Sequence, residues 1–238
     1  MSKIRTVGFL GGMSYHSTLP YYNKINNHVQ LRLGAPHTAS LILRSFNYAG
    51  IIKLFSEEKW ADIASTFILA GRDMKTSGAE SLVIGCNIGH KVATELESGV
   101  GLPVLHIADA TGAALRKQNI TKVGLLGTKP VMKEGYIKDR LQSAARLSEI
   151  VVPSPEEWDR LNKIVFTELA AGPASAETTA WMNTVVEALQ AQGAEAIVLA
   201  CTDFQSVIKQ ENFSIPIIDS LEEHAKYVAE WSIDSGAH

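Results

Sequence analysis

Cys86 and Cys201 are the only thiols in this 238-residue chain, and they occupy matched slots in a repeated pattern. Gly78-Ala79-Glu80-Ser81-Leu82-Val83-Ile84-Gly85-Cys86-Asn87 returns 115 residues later as Gly193-Ala194-Glu195-Ala196-Ile197-Val198-Leu199-Ala200-Cys201-Thr202. A matched pair of thiols suits inversion at a carbon centre. One side chain takes a proton from one face, the other delivers a proton to the opposite face, and reversing the substrate's hand exchanges the two jobs. With a reference pKa of ~8.5, a thiol serves in either role once helix donors or cations adjust its ionisation. Taken singly, each cysteine reads as a small buried hydrophobe at a strand end. The duplication is what turns the pair toward catalysis.

The neighbours fit such chemistry. Asn87 and Thr202 follow the cysteines directly, where a side chain and the next backbone amides can hold a carboxylate. Gly11, Gly12 and Gly127 permit close approach of backbone to ligand. Ser14, Ser17, Thr18 and Thr128 add hydroxyl donors that would stabilise charge developing on a carboxylate as its α-proton leaves. His90, four residues after Cys86, and Lys91 raise the local positive potential. Cys86 and His90 have metal-ligand spacing, and His16 or His106 would have to join them. No CxxC, HExxH or second close pair supports a metal, so none is expected. Gly8-Phe9-Leu10-Gly11-Gly12 lacks the GxGxxG spacing of a dinucleotide loop, and no motif demands pyridoxal phosphate.

The elements that must carry these residues are short branched-apolar runs stopped by glycine or proline. They are Thr6–Leu10, Ser40–Leu43, Ser81–Ile84, Pro103–His106, Lys122–Leu126, Ala196–Leu199 and Ile215–Ile218. Helical periodicity lies between them, at Tyr21–Leu31, Lys59–Ser77, Asp159–Ala171, Ala176–Gln192 and Leu221–Trp231. Such alternation predicts parallel sheets covered by helices. Two further landmarks repeat in the same order: Thr6–Gly11 matches Lys122–Gly127, offset by 116, and Leu102–Leu105 matches Ile215–Ile218, offset by 113. The expected fold is therefore α/β, two similar Rossmann-like lobes with parallel sheets related by a pseudo-dyad. The first lobe would span 1–105 and be completed by 217–238; the second would span 106–216. The cysteines and glycine turns fall at carboxyl ends of strands, where ligands bind in such sheets.

Composition removes several function classes. Lys+Arg 22 against Asp+Glu 25 gives a net charge of −3, which offers no basic surface for nucleic acid. No apolar run reaches the ~18 residues of a membrane span. Two cysteines exclude a disulfide-rich scaffold. The opening Met1-Ser2-Lys3-Ile4-Arg5 does not read as a signal peptide, so a cytoplasmic location is expected.

Taken together the motifs resemble the aspartate/glutamate racemase family, in particular its aspartate racemase-like members. The likeness rests on Gly11-Gly12-Met13-Ser14-Tyr15-His16-Ser17-Thr18, Pro20-Tyr21-Tyr22, Cys86-Asn87-Ile88-Gly89-His90-Lys91, His106-Ile107-Ala108-Asp109-Ala110, Leu125-Leu126-Gly127-Thr128 and Ala200-Cys201-Thr202-Asp203. It implies a cofactor-independent amino-acid racemase of two lobes, commonly a homodimer, with Cys86 and Cys201 catalytic. By the same likeness Asn87, Thr202, the Met13-Ser14 segment and Thr128 hold the α-carboxylate. Arg44 and Arg160 are the nearest matches to cations that reach a distal carboxylate, a task suited to a bidentate guanidinium. The chain departs from the family pattern at Tyr15, His16, Ile88 and Asp203. His16 replaces an acid, Ile88 removes a hydroxyl beside the first cysteine, and Asp203 replaces a glutamate; His16, His90 and Asp203 are candidate tuning residues. The expected substrate is an acidic amino acid, aspartate before glutamate. The alternatives are a dicarboxylate cis–trans isomerase or racemase of another amino acid, and a non-catalytic small-acid-binding protein.

Overall fold

The computed structural model of the protein describes residues 4–234. One compact unit takes in the chain up to His106 and the segment from His224 onward; the other is Ile107–Glu223. The first unit contains β1 (Thr6–Gly11), α1 (Tyr15–Leu33), β2 (Ser40–Ser45), α2 (Tyr48–Ser56), α3 (Trp60–Thr76), β3 (Ser81–Ile84), a 3₁₀ turn (Ile88–Val92), α4 (Ala93–Val100) and β4 (Val104–Leu105). The second contains α5 (Ile107–Lys117), β5 (Lys122–Gly127), α6 (Lys129–Lys133), α7 (Gly135–Ala145), β6 (Glu149–Val151), α8 (Pro155–Lys163) with a π-helical continuation (Ile164–Leu169), α9 (Ala176–Ala191), β7 (Ala196–Ala200) and β8 (Ile217–Asp219). The closing helix α10 (Ser220–Ile233) begins in the second unit and ends in the first.

Each unit holds one four-stranded parallel sheet flanked by helices, in the orders β2-β1-β3-β4 and β6-β5-β7-β8. The sequence repeat is thus a structural repeat, down to the register. Val7 opposes Ser81 as Val123 opposes Ala196, and Leu82 opposes Val104 as Ile197 opposes Ile217. The central strands β3 and β7 are buried throughout, as strands covered on both faces must be, which is why they read as unbroken apolar runs. Their side chains enter separate cores: Phe9, Phe67 and Leu96 in the first unit, Met182, Ile197 and Phe204 in the second.

The repeated Gly-Ala-Glu has a physical reason. Glu80 Oε1 accepts the Thr6 N–H at 3.1 Å, and Glu195 Oε2 accepts the Thr121 and Lys122 N–H groups at 2.6 and 3.2 Å. In both units a carboxylate from one strand's entry thus receives backbone donors at the entry of its neighbour, which no ladder partner satisfies.

Three expectations need correction. The edge strand β6 was not expected; at three residues and only partly buried, Glu149-Ile150-Val151 carries too little apolar signal. Residues 217–223 were placed with the first lobe, but β8 pairs with β7, so the division falls at His224. Helix α1 starts at Tyr15 rather than Tyr21 and runs through Pro20. The N–H that Pro20 lacks would have bonded to the carbonyl of His16, an exposed residue that water can serve.

The Glu195 carboxyl is held below its ordinary value, first by the Thr121 N–H and then by that of Lys122. The folded state therefore binds its proton less tightly than the unfolded chain. Its contribution to stability is present above pH 4.5, the ordinary value, and is lost as pH falls through the lowered one. Glu195→Gln should lower the urea midpoint at neutral pH, with the gap to the parent closing as the pH is taken below 4.5.

Candidate functional site

In the first unit, β1 has β2 on one side and β3 on the other, so the connections leaving β1 and β3 diverge and open a crevice at the carboxyl edge. Leu10 opposes Ile84, and the Gly85 N–H donates to the Leu10 carbonyl at 2.9 Å. The turn Gly11-Gly12-Met13-Ser14 therefore leaves the sheet beside Gly85-Cys86-Asn87. Gly12 is needed here twice over: its φ is +79°, and a Cβ would lie 2.5 Å from both the N and the O of Phe46. Thr18 pins the turn to α1, its Oγ1 accepting from the Gly12 N–H and donating to the Ser14 carbonyl, both at 2.8 Å. The Cys86 thiol donates to the Met13 thioether at 3.8 Å. Met13, Ser14, Cys86 and Asn87 are all buried. A Cβ on Gly89 would come within 3.1 Å of the Cys86 sulfur, so glycine in the 3₁₀ turn keeps the space beside the thiol.

The second unit builds the same corner from different residues. Gly127 opposes Ala200, which sets Thr128 beside Cys201 at the carboxyl edge of β5 and β7. Thr128 opens α6, and the adjacent Lys129 N–H is taken by Asn162 Oδ1 at 3.2 Å. The Thr128 hydroxyl is buried, with no hydrogen-bond partner among the described residues. Cys201 belongs to the buried apolar cluster of its unit, together with Phe204, Val207 and Leu199. After it the chain turns tightly: the Phe204 N–H reaches the Cys201 carbonyl at 3.1 Å, and the Gln205 amide reaches the Thr202 carbonyl at 3.1 Å. Asp203 is 9% exposed.

The remaining candidates lie further out. Arg44 is exposed at the carboxyl end of β2, opposite Leu10, with its guanidinium 5.9 Å from the Phe46 ring. It shares the edge on which Gly12 sits. Arg160 on α8 lies over the Trp181 ring at 4.0 Å and 4.0 Å from Glu177, half-exposed. His16 is exposed in the first turn of α1, its ring 4.0 Å from that of Tyr15. His90, by contrast, is buried, with Nδ1 2.8 Å from the Cys86 carbonyl oxygen.

Sequence reasoning missed what stands around His90. The His90 ring meets those of His106 and His224 at 4.5 and 5.7 Å, and His224 bonds to the Tyr21 hydroxyl. In the sequence, His106 and Tyr21 enter through the motifs of the family resemblance, His106 also as a remote metal ligand, and His224 carries no assignment. The available signal was one of distribution: all seven histidines lie outside 107–223. Among the described residues, no group of three His, Cys, Asp or Glu side chains is arranged to hold a metal ion. No described helix is long and apolar enough to cross a membrane.

Two like α/β units, each ending its central strands in a glycine-bearing turn beside a cysteine, define a duplicated parallel-sheet protein with matched thiols. The chain belongs to the Asp/Glu/hydantoin racemase family, whose sequence pattern matches residues 10–228. It is similar to a Yersinia pestis protein assigned as an Asp/Glu racemase (35% identity, 97% of this chain and 100% of that one, TM-score 0.87). An aspartate racemase homologue of Pyrococcus horikoshii is 31% identical, with 98% and 99% of the two chains covered and a TM-score of 0.78. The broad specificity amino-acid racemase RacX of Bacillus subtilis is 26% identical over 90% of this chain and 92% of its own.

Gly12→Ala should destabilise the fold by about 2 kcal/mol or more, because strained φ and a backbone clash act together. Urea unfolding measures this; a loss within error of zero would show that the turn relaxes without cost.

Proposed function

We propose that this protein is a cofactor-independent racemase of an acidic amino acid, aspartate before glutamate, in which Cys86 and Cys201 act as alternating base and acid. The carrying observation is that each unit sets a buried cysteine beside a turn rich in donors, at the edge where parallel sheets bind ligands. One thiolate takes the α-proton from one face of the substrate carbon while the other thiol supplies a proton to the opposite face. Negative charge then accumulates on the α-carboxylate, and donors aimed there carry the catalytic burden. Asn87 and Ser14 in the first unit, and Thr202 and Thr128 in the second, are the residues given that task. Burial of both cysteines strengthens these interactions by excluding water. Arg44 is assigned to the distal carboxylate on the strength of its place at the β2 edge. Arg160 takes the same task from the second unit by turning off the Trp181 face.

A second reading is racemisation of a wider set of amino acids. It is favoured by Ile88, an apolar residue two positions after Cys86, and by the likeness to RacX. Substrate range decides between the two. With each enantiomer supplied in deuterated water, preferential exchange at the α-carbon of aspartate supports the first reading. Comparable rates on neutral amino acids support the second, and no exchange with any amino acid sinks both.

Cys86→Ala and Cys201→Ala should each abolish racemisation, since neither inversion direction can proceed without both an acid and a base. At most, each variant would retain deuterium exchange without inversion, from one enantiomer only. Racemisation surviving in either variant would refute the two-thiol mechanism. Thr128→Val separates binding from folding. Removing a buried hydroxyl without a partner should leave stability unchanged or raised. The Michaelis constant should meanwhile rise by about tenfold, the equivalent of one hydrogen bond to a carboxylate.

A further inference from the structure

A serine, threonine or asparagine at the N-cap of a helix ordinarily accepts a backbone N–H from the first turn of that helix. Asn47, Ser154 and Ser175 do this for α2, α8 and α9. Three of the four residues assigned to the substrate carboxylate also sit at N-caps, and none of them bonds to its own helix. They are Ser14 before α1, Asn87 before the 3₁₀ turn and Thr128 before α6. Thr128 is the sharpest case, because its hydroxyl is buried and has no hydrogen-bond partner among the described residues. An unmade cap and an unpaired buried hydroxyl are both unfavourable, so another group must hold the start of α6.

Asn162 does so from α8. Of the three residues that open α6, Pro130 has no N–H to satisfy, and Asn162 Oδ1 accepts that of Lys129 at 3.2 Å. The Val131 N–H is the one that a capping Thr128 would take. Asp159, three residues before Asn162 on the same helix, meets the Lys129 ammonium at 2.6 Å. Neighbours on one helix thus grip one residue of another, Asn162 by its backbone and Asp159 by its side chain. The ion pair is exposed and contributes little, whereas the backbone bond is partly buried and fixes where the chain turns.

The first unit meets the same need within a single helix. Thr18 on α1 takes the Gly12 N–H and donates to the Ser14 carbonyl, both at 2.8 Å. Its counterpart 116 residues on is Glu134, which lies past the end of α6 at Lys133. A helix of five residues has no later turn from which to reach back, so the grip comes from α8. We propose that Asn162 is a positioning residue of the second corner: it closes the start of α6 in place of Thr128 and so keeps the Thr128 hydroxyl for a substrate carboxylate. The ligand in this proposal rests on the racemase reading; the exchange of one cap for another does not.

The test uses the full chain carrying Asn162→Ala, assayed with the amino acid that the parent racemises fastest. The Michaelis constant should rise by up to about tenfold, the loss expected of Thr128→Val itself. Adding Thr128→Val to Asn162→Ala should raise it no further than Thr128→Val alone, since a residue that acts through the hydroxyl then has nothing to act on. A crystal structure of Asn162→Ala should show Thr128 Oγ1 turned to accept the Val131 N–H, with circular dichroism confirming the fold. Asn162→Leu keeps the bulk without the acceptor and is read in the same way if the alanine variant does not fold. Asp159→Asn removes the ion pair but not the backbone bond, and should leave the Michaelis constant unchanged. Effects of Asn162→Ala and Thr128→Val that multiply, or an equal rise in Asp159→Asn, overturn the proposal. A racemising parent whose Michaelis constant is unmoved by Asn162→Ala overturns it too and leaves the racemase reading intact. If the parent racemises nothing but the hydroxyl turns to Val131 in the variant, the exchange of caps stands and only the racemase reading fails.

Discussion

Everything at the candidate site depends on the parallel pairing of the two central strands in each sheet. Residues 73 to 74 apart are made neighbours by that ladder: Leu10 with Ile84 in one unit, Gly127 with Ala200 in the other. One strand of each pair ends in a glycine-bearing turn and the other in a cysteine, so the ladder alone determines which backbone donors stand beside which thiol. A shift of one residue would turn buried side chains to the wrong face of their strand. Full burial of β3 and β7 makes such a slip costly, and in this way the apolar strands govern the chemistry at their ends.

The repeat is conserved between units where geometry is at stake and relaxed elsewhere. Strand order, register, the glutamate at the strand entry and the cysteine at the strand exit recur. The residues that follow each cysteine do not. Ile88, Gly89 and His90 line the first turn, whereas Asp203, Phe204 and Gln205 line the second. Strand pairing tolerates few solutions, while the electrostatics of a turn can be altered one side chain at a time without disturbing the sheet.

How much of this was legible in the sequence follows from the same distinction. Seven of the eight strands announce themselves as short branched-apolar runs, most plainly β1, β3, β5 and β7, where burial on both faces leaves no polar alternation to confuse them. The missing strand β6 is a short, half-buried edge, and the misplaced boundary at 217 came from treating β8 as part of the closing helix's unit. The cysteines and the glycines that end β1 and β5 were legible at their strand ends from their repetition. Arg44 and Arg160 were not, since the reach of a long exposed side chain leaves no periodic trace; Arg160 lies on Trp181, a ring that only the folding of α8 against α9 brings within range. His224 was hidden for a further reason. Its partners Tyr21, His90 and Leu105 are spread over the chain, and no local pattern joins them.

The unequal surroundings of the two thiols bear on how a duplicated fold can run a symmetrical reaction. Mirror-image substrates have equal free energies in water, so a racemase must have equal kcat/KM in its two directions at every pH. No asymmetry of the protein can alter that equality. What asymmetry can alter is the resting state: an enzyme with two identical thiols would divide itself between forms with no thiolate, one and two, and only the singly ionised form is competent. Unequal surroundings, under the proposed function, separate the two ionisations and widen the pH range over which one thiolate coexists with one thiol. Under the proposed function, divergence of the turn residues after duplication is therefore what the chemistry requires, because two perfectly matched half-sites would populate the working protonation state less well than two that differ.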